Sequence, residues 1–452
     1  MDDYSLVTQN NINKLNKIKT NFSVNISKDS DNYLKHLYTS VIKLYSSIDY
    51  SNVEISCSVN KIKIPELYKK KEFLGLTMES LIYLLNINKL NDLLITYDKK
   101  DANQLIYTLK NKDFKGCVEW INCKGDVLMD NLNHIFQNEL NIDTTTHNKF
   151  VSLDIQKYIE TQFEYQFNYT IKYKKYTIKL VILEKKNKMS ISKKKLKRII
   201  KKIILMCLVK KTIHNVNITI IPTNFKKKLN RYQHNIIGSR EINSGLTSFG
   251  DNNITIFREE EMEKVLIHEL IHLLNLDFNH IYIDSSNIHR LCNINPKNKI
   301  ILNESYTEII TILINSFINS FESSKKLDYN LVKKMIYYEI KFNLTKISKI
   351  LNYYGFVNTE QFFTNYNNNL FQQKTSVFSY FIVKTSLLFS LDMFIIFLKD
   401  NSYSIFNINK NKYHYLSIVE KGLSNPSFIN TVNEFMIHIF DNNMRMTLFE
   451  LK

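Results

Sequence analysis

The stretch EKVLIHELIHLLNL, from Glu263 to Leu276, decides how this chain is read. Val265, Leu266, Ile267, Leu270, Ile271, Leu273, Leu274 and Leu276 run almost all the way round a helix, so the helix is expected to be buried. Yet it carries His268, Glu269 and His272 in its middle, in the pattern HExxH. Two histidines four residues apart lie one above the other on a helix face, so their imidazoles can converge on one ion. Glu269 projects about 100° around the helix from His268, where it can reach a water on that ion without binding the ion itself. Burying three such side chains without partners costs several kcal/mol, and a divalent cation removes that cost. The plain alternative is a packed helix whose polar trio is satisfied by neighbouring protein groups.

Zinc in a catalytic site needs a third protein ligand and keeps a fourth position for water. Downstream, NESYTE places Asn303, Glu304 and Glu308 at the start of an apolar-periodic helix. Glu304 and Glu308 are four apart and share a face, so one can ligate Zn2+ while the other orients a ligand histidine from behind. His280, Asp284, His289 and Cys292 lie in the connecting loop, and each is a further candidate for the third ligand.

HELIH followed by NESYTE resembles the gluzincin metallopeptidases of the thermolysin type, whose pattern is HExxH followed by Asn-Glu-x-x-Ser/Thr-Asp/Glu on a second helix. The resemblance implies that His268, His272 and Glu304 hold zinc, that Glu269 is the general base, and that Glu308 supports a zinc-bound histidine. It also implies hydrolysis of peptide bonds and an edge strand beside the site, from either GLTSF or NNITIFR. Members usually add a His or Tyr from the C-terminal helical part to stabilise the oxyanion, and Tyr380, Tyr413 and His414 are the candidates, Tyr380 the one preferred. Two features depart from close relatives of HExxH. The loop between His272 and Glu304 is longer than in the thermolysin type, and the metzincin pattern is broken because Asn275 and Phe278 stand where it requires Gly and His.

The rest of the 452 residues frames this unit. The expected class is α+β: a mainly helical region over 1–150, a zincin-like catalytic unit with a small mixed sheet over 151–325, and a helical C-terminal subdomain over 326–452 that closes the cleft. Region 1–150 includes helical patterns in DNYLKHLYTSVIKLYSSI and TMESLIYLLNINKLNDLLI and a hairpin pattern in NVEISCSVNKIKI. FNYTIKYKKYTIKLVILEK alternates like a hairpin, and an amphipathic helix follows with Leu196, Ile199, Ile200, Ile203, Ile204 and Cys207 on its apolar side. VNITIIP is a short buried strand, and two more short strands meet at the turn Gly250-Asp251-Asn252-Asn253. Glu259, Glu260 and Glu261 are expected in the first turn of the HExxH helix, where the dipole favours negative charge.

A net charge of +18 favours acidic partners or an anionic surface, and the densely basic stretch Lys185 to Lys211 is its focus. No nucleic-acid motif accompanies that stretch, so it reads as the solvated outer face of a sheet-covering helix. Five cysteines with no CxxC pair argue for a reducing compartment, and the paired cysteines of KGCVEWINCKG have no metal-ligand company. The N-terminus lacks a signal peptide, which points to an intracellular, cytoplasmic protein, or to a host cytoplasm or virion if this AT-rich composition is viral. The longest apolar run, Val377 to Leu398, contains Lys384 and Asp392 and is expected to be a buried helix instead of a membrane span. The competing function is a catalytically silent, zincin-like basic binding or structural protein.

Overall fold

The computed structural model describes residues 3–20, 22–61, 72–73, 76–77, 99–111, 113, 116–117, 150–210, 213–229, 236–248, 252–278, 281–295, 297–364, 371–438 and 441–452. The helix expected in TMESLIYLLNINKLNDLLI, His280 and most of KGCVEWINCKG lie outside these residues. The packing divides the chain into one unit of residues 1–60 with 166–452 and a second of 61–165. Boundaries drawn at changes of sequence pattern therefore differ from the packing, which joins the first 60 residues to the chain's C-terminal two thirds. The second unit includes helices Lys99–Lys110 and Leu153–Gln162 and a short hairpin, Glu72–Phe73 with Leu76–Thr77.

The larger unit mixes helices with a six-stranded sheet. Helices α1 (Leu6–Asn16) and α2 (Lys28–Ser46) lead into strand β1 (Glu54–Lys61). Ser5 and Ser27 cap the two helices by accepting from the amides of Thr8 and Ser30, the ordinary service of a serine at a helix start. Strands β2 (Tyr165–Tyr173) and β3 (Tyr176–Glu184) follow, joined by a two-residue turn with Lys174 at φ 54°. Helix α3 (Lys193–Val209) then leads to β4 (Asn215–Ile220), β5 (Gly245–Ser248) and β6 (Asn253–Ile256). The spatial order is β1-β2-β3-β4-β6-β5. β4 runs parallel to β3 and to β6, while β5 lies antiparallel to β6 and forms one edge. The hairpin expected in NVEISCSVNKIKI is corrected: its described residues run through one unbroken strand, β1, whose neighbour in the sheet is β2.

Inward residues of the central strands, among them Ile178, Leu180, Ile182, Ile218, Ile220, Ile254 and Ile256, are at most 1% exposed. Against β5 and β6 of this sheet packs α4 (Met262–Leu273), the HExxH helix, and α3 packs against α4. The apolar side of α3 is as expected at Ile199, Ile200, Ile203, Ile204 and Cys207, but its basic side is not wholly outward. Arg198 and Lys202 are buried, because Glu263 at the start of α4 takes both: Arg198 donates to Glu263 Oε1 at 2.7 Å and Lys202 lies 2.9 Å from Oε2.

Helices α5 (Asn303–Ser324) and α6 (Tyr329–Tyr353) begin the helical part, followed by a π-helical segment, Phe378–Val383, which continues into α7 (Lys384–Phe389). After it come α8 (Leu391–Asn401), α9 (Lys412–Leu423) and α10 (Pro426–Phe435). No single described helix is long and apolar enough to cross a membrane; α8 bends by 91° from the helical run that precedes it. Leu387, Leu388, Leu391, Phe394 and Phe397 in this run are buried within the protein.

The last described residues form an extended strap through the core. The amides of Met446 and Thr447 donate to Glu261 Oε1 at 2.8 and 2.6 Å, and the amide of Leu448 donates to Glu339 Oε1 at 3.0 Å. The acidic triplet is thus corrected in role and place. Glu261 precedes α4 in the left-handed region at φ 60°, Glu260 and Glu261 are buried, and their carboxylates anchor backbone and Lys227 more than they serve the helix dipole.

Candidate metal centre

All twelve residues of α4 are buried, His268, Glu269 and His272 included. The helix is therefore the apolar rod its composition implies, and its polar trio must find partners inside the protein. α5 packs alongside and brings Glu304 and Glu308 to the same place. Glu304 Oε2 lies 3.4 Å from His268 Nε2 and 3.3 Å from His272 Nε2, and the two Nε2 atoms are 3.0 Å apart. Ligand atoms of these three residues lie within 4.8 Å of one another.

Each imidazole is backed on its other nitrogen. His272 Nδ1 lies 2.5 Å from Asp277 Oδ2, which also accepts from Thr307 Oγ1 at 3.0 Å. His268 Nδ1 lies 2.8 Å from Glu308 Oε1, an oblique contact that leaves its N–H off the line to the oxygen. A proton on each Nδ1, beside its carboxylate, would leave both Nε2 lone pairs directed towards Glu304 and towards each other. Glu304 Oε2 itself is buried and accepts no well-formed hydrogen bond. Three electron-pair donors crowd one buried point, and positive charge there relieves their repulsion.

The titration of these groups has the same physical origin. Burial works against charge on His268, yet Glu304 and Glu308 outweigh it and hold the imidazole above its ordinary range. Burial likewise opposes charge on His272, while Glu304 and Asp277 raise it well above that range. Glu304 resists its own desolvation through the two imidazoles and lies well below the usual carboxylate range. The donor set, two imidazoles and one carboxylate, suits zinc, and the burial of the ligand atoms supplies the dry surroundings that such an ion needs.

Glu269 faces the edge strand. Thr247 on β5 donates to Glu269 Oε2 at 2.7 Å. Two residues earlier on the same face of the strand stands Gly245, where an added Cβ would lie 2.8 Å from Glu269 Oε1 and 2.8 Å from Val265 Cγ1. Only glycine lets the strand approach the carboxylate this closely. Of the two segments considered for the edge, it is GLTSF that occupies it.

Tyr380, in the π-helical segment, has its ring centroid 6.0 Å from that of His268. Burial, then the charges of Glu304, Glu269 and Glu308, push its phenol well above the usual range, so it stays a hydrogen-bond donor. Tyr413 is 74% exposed, and His414 lies against Phe397 and Asn401, so neither joins the cluster. Nor do the described loop candidates: Asp284 is exposed and caps Ser286, and Cys292 and His289 are absent from the cluster.

Sequence reasoning missed Asp277, Thr307 and Thr247. Asp277 stands five residues after His272, just past the helix end, and Thr307 sits inside NESYTE, so both were visible beside the motif. Nothing in the sequence distinguishes Thr247, whose role depends on which strand forms the edge.

No family model matches the chain, and no solved structure matches it. An uncharacterized protein of Acanthamoeba polyphaga mimivirus is similar, 26% identical over 238 residues. The match covers 51% of this chain, and it spans 59% of that relative's length.

Proposed function

We propose that this chain is a zinc-dependent metallopeptidase of gluzincin-like build, acting on peptides or proteins inside cells. The observation that carries the reading is the convergence of His268 Nε2, His272 Nε2 and Glu304 Oε2 on one buried point, with a carboxylate behind each histidine. In this reading these three residues hold zinc, which supplies Lewis acidity and lowers the pKa of a bound water. Asp277 takes the Nδ1 proton of His272, and Glu308 stands 2.8 Å from His268 Nδ1, so that each Nε2 lone pair is free to bind. Glu269, held by Thr247, accepts the proton of the attacking water and delivers it to the leaving amine. The Tyr380 hydroxyl donates to the oxygen of the scissile carbonyl as negative charge develops there. β5, the last strand of the sheet among the described residues, offers backbone groups to an extended substrate.

The test is metal analysis combined with a peptide-library digest that includes o-phenanthroline. About one zinc per chain is expected, with chelator-sensitive cleavage. Glu304→Ala is expected to lose the metal, and Glu269→Gln to keep it while cleavage falls by about 100- to 10,000-fold. A chain that binds zinc and cleaves nothing would favour a silent binding protein, and one that binds no zinc would remove the reading.

A further inference from the structure

Glu308 is enclosed by two lysines that the proposed chemistry does not use. The Lys264 ammonium contacts Glu308 Oε1, and Lys384 Nζ lies 3.5 Å from Oε2. Lys384 Nζ also donates to the backbone carbonyl of Met446 in the C-terminal strap at 3.2 Å. Lys264, Glu308 and Lys384 are each at most 2% exposed. Buried ion pairs are a poor way to gain stability, since well-packed apolar residues of similar size often serve as well or better. Three buried charges directly behind a histidine of the cluster therefore call for another explanation.

The placement supplies one. Tyr380 and Lys384 are four residues apart across the π-helical segment, and Glu304 and Glu308 are four apart on α5. Tyr380 stands against the His268 ring, and Lys384 reaches Glu308. A π-helical turn is an uncommon feature with its own cost, and here it ends at Val383, directly before the residue that joins the strap to Glu308. The contacts form a continuous path: the Met446 carbonyl, the Lys384 ammonium, the Glu308 carboxylate, and His268 Nδ1.

We infer that Lys384 is a positioning residue, which takes its own place from the C-terminal strap and, through Glu308, sets the orientation of the His268 imidazole for metal binding. Lys264 holds the other carboxylate oxygen, so that Glu308 cannot swing away from the ring. This inference rests on the metal reading of the site, and it adds a route by which the far C-terminal segment governs that site.

The test measures zinc affinity by chelator competition, and the visible spectrum of the Co2+-loaded full chain. Lys384→Met is expected to weaken zinc binding about 10- to 100-fold, the size usual for losing an outer partner of a metal ligand, and to shift the Co2+ bands. Lys384→Arg, which keeps the charge, is expected to restore both. Ser348→Ala, another buried polar change away from the cluster, is expected to lower thermal stability and leave zinc affinity alone. If Lys384→Met does not fold, Lys384→Gln keeps a donor for the Met446 carbonyl, and the same loss of affinity is expected of it. Wild-type affinity and an unchanged Co2+ spectrum in the folded variant would overturn the relay while leaving the zinc reading intact. Absence of zinc from the wild-type chain would overturn both.

Discussion

The two ends of helix α4 handle buried charge in opposite ways. At its start, Glu263 meets Arg198 and Lys202, and just before it Glu261 meets Lys227 and two strap amides, so that negative charge is answered by cations or donors of the protein. Two turns on, His268, His272 and Glu304 bring electron pairs together at one point, and the surrounding carboxylates of Asp277 and Glu308 fix the histidines without supplying positive charge. The first arrangement is complete within the chain and serves to dock α4 on α3. In the proposed reading the second is completed by a zinc ion, and this difference would separate a structural ion cluster from a metal site on one continuous helix.

The largest effect that would sharpen the contrast is expected at the start of the helix. Glu263→Ala leaves Arg198 and Lys202 buried without their partner and is expected to cost about 3 to 5 kcal/mol of stability in chemical denaturation. Zinc affinity, measured on the folded fraction, should be nearly unchanged. Burial opposes the charge on Glu263, but Lys202 and Arg198 bring its pKa down from 4.5 to about 2. A depressed carboxylate pKa contributes stability that is fully present above pH 4.5 and lost as pH falls through about 2. The stability gap between wild type and Glu263→Gln should therefore narrow across that window in acid titrations, and a gap independent of pH would break the argument.

A smaller effect, of opposite kind, is expected from Asp277→Asn. It removes the carboxylate behind His272 and should weaken zinc binding about 10- to 100-fold, with stability of the metal-free chain little altered. If it instead unfolds the chain as Glu263→Ala does, the two ends of α4 are not distinct. The smallest effect is expected from Thr247→Val, which frees Glu269 from the edge strand. Turnover should fall by about tenfold with zinc content intact, and Thr247→Ser should recover most of it.

Much of the centre was legible because helical spacing converts directly into geometry. His268 with His272, and Glu304 with Glu308, are pairs four apart, and four residues on a helix always share a face. That the two faces meet depends on α5 packing along α4, which follows from both helices being apolar nearly all round. Other contacts had no such signal. Lys384 was readable only as a charge that argues against a membrane span, and its contact with Glu308 became visible only when residues 76 positions apart were brought together. The basic face of α3 reads as solvated because a run of cationic residues usually is, and the buried Arg198 and Lys202 are indistinguishable by composition from their exposed neighbours.

By itself, the sequence determined the elements and the donor set: an apolar helix carrying HExxH, a second helix carrying Glu304 and Glu308, and short strands ahead of them. These are local properties, governed by periodicities of 3.6 and 2 residues that need no knowledge of distant contacts. Only the tertiary structure decided which strand forms the edge beside Glu269, that Tyr380 and not Tyr413 or His414 faces the centre, and that a C-terminal strap lies under the HExxH helix. Those outcomes depend on which buried charges can find partners once the chain is packed, and burial is a property of the whole fold.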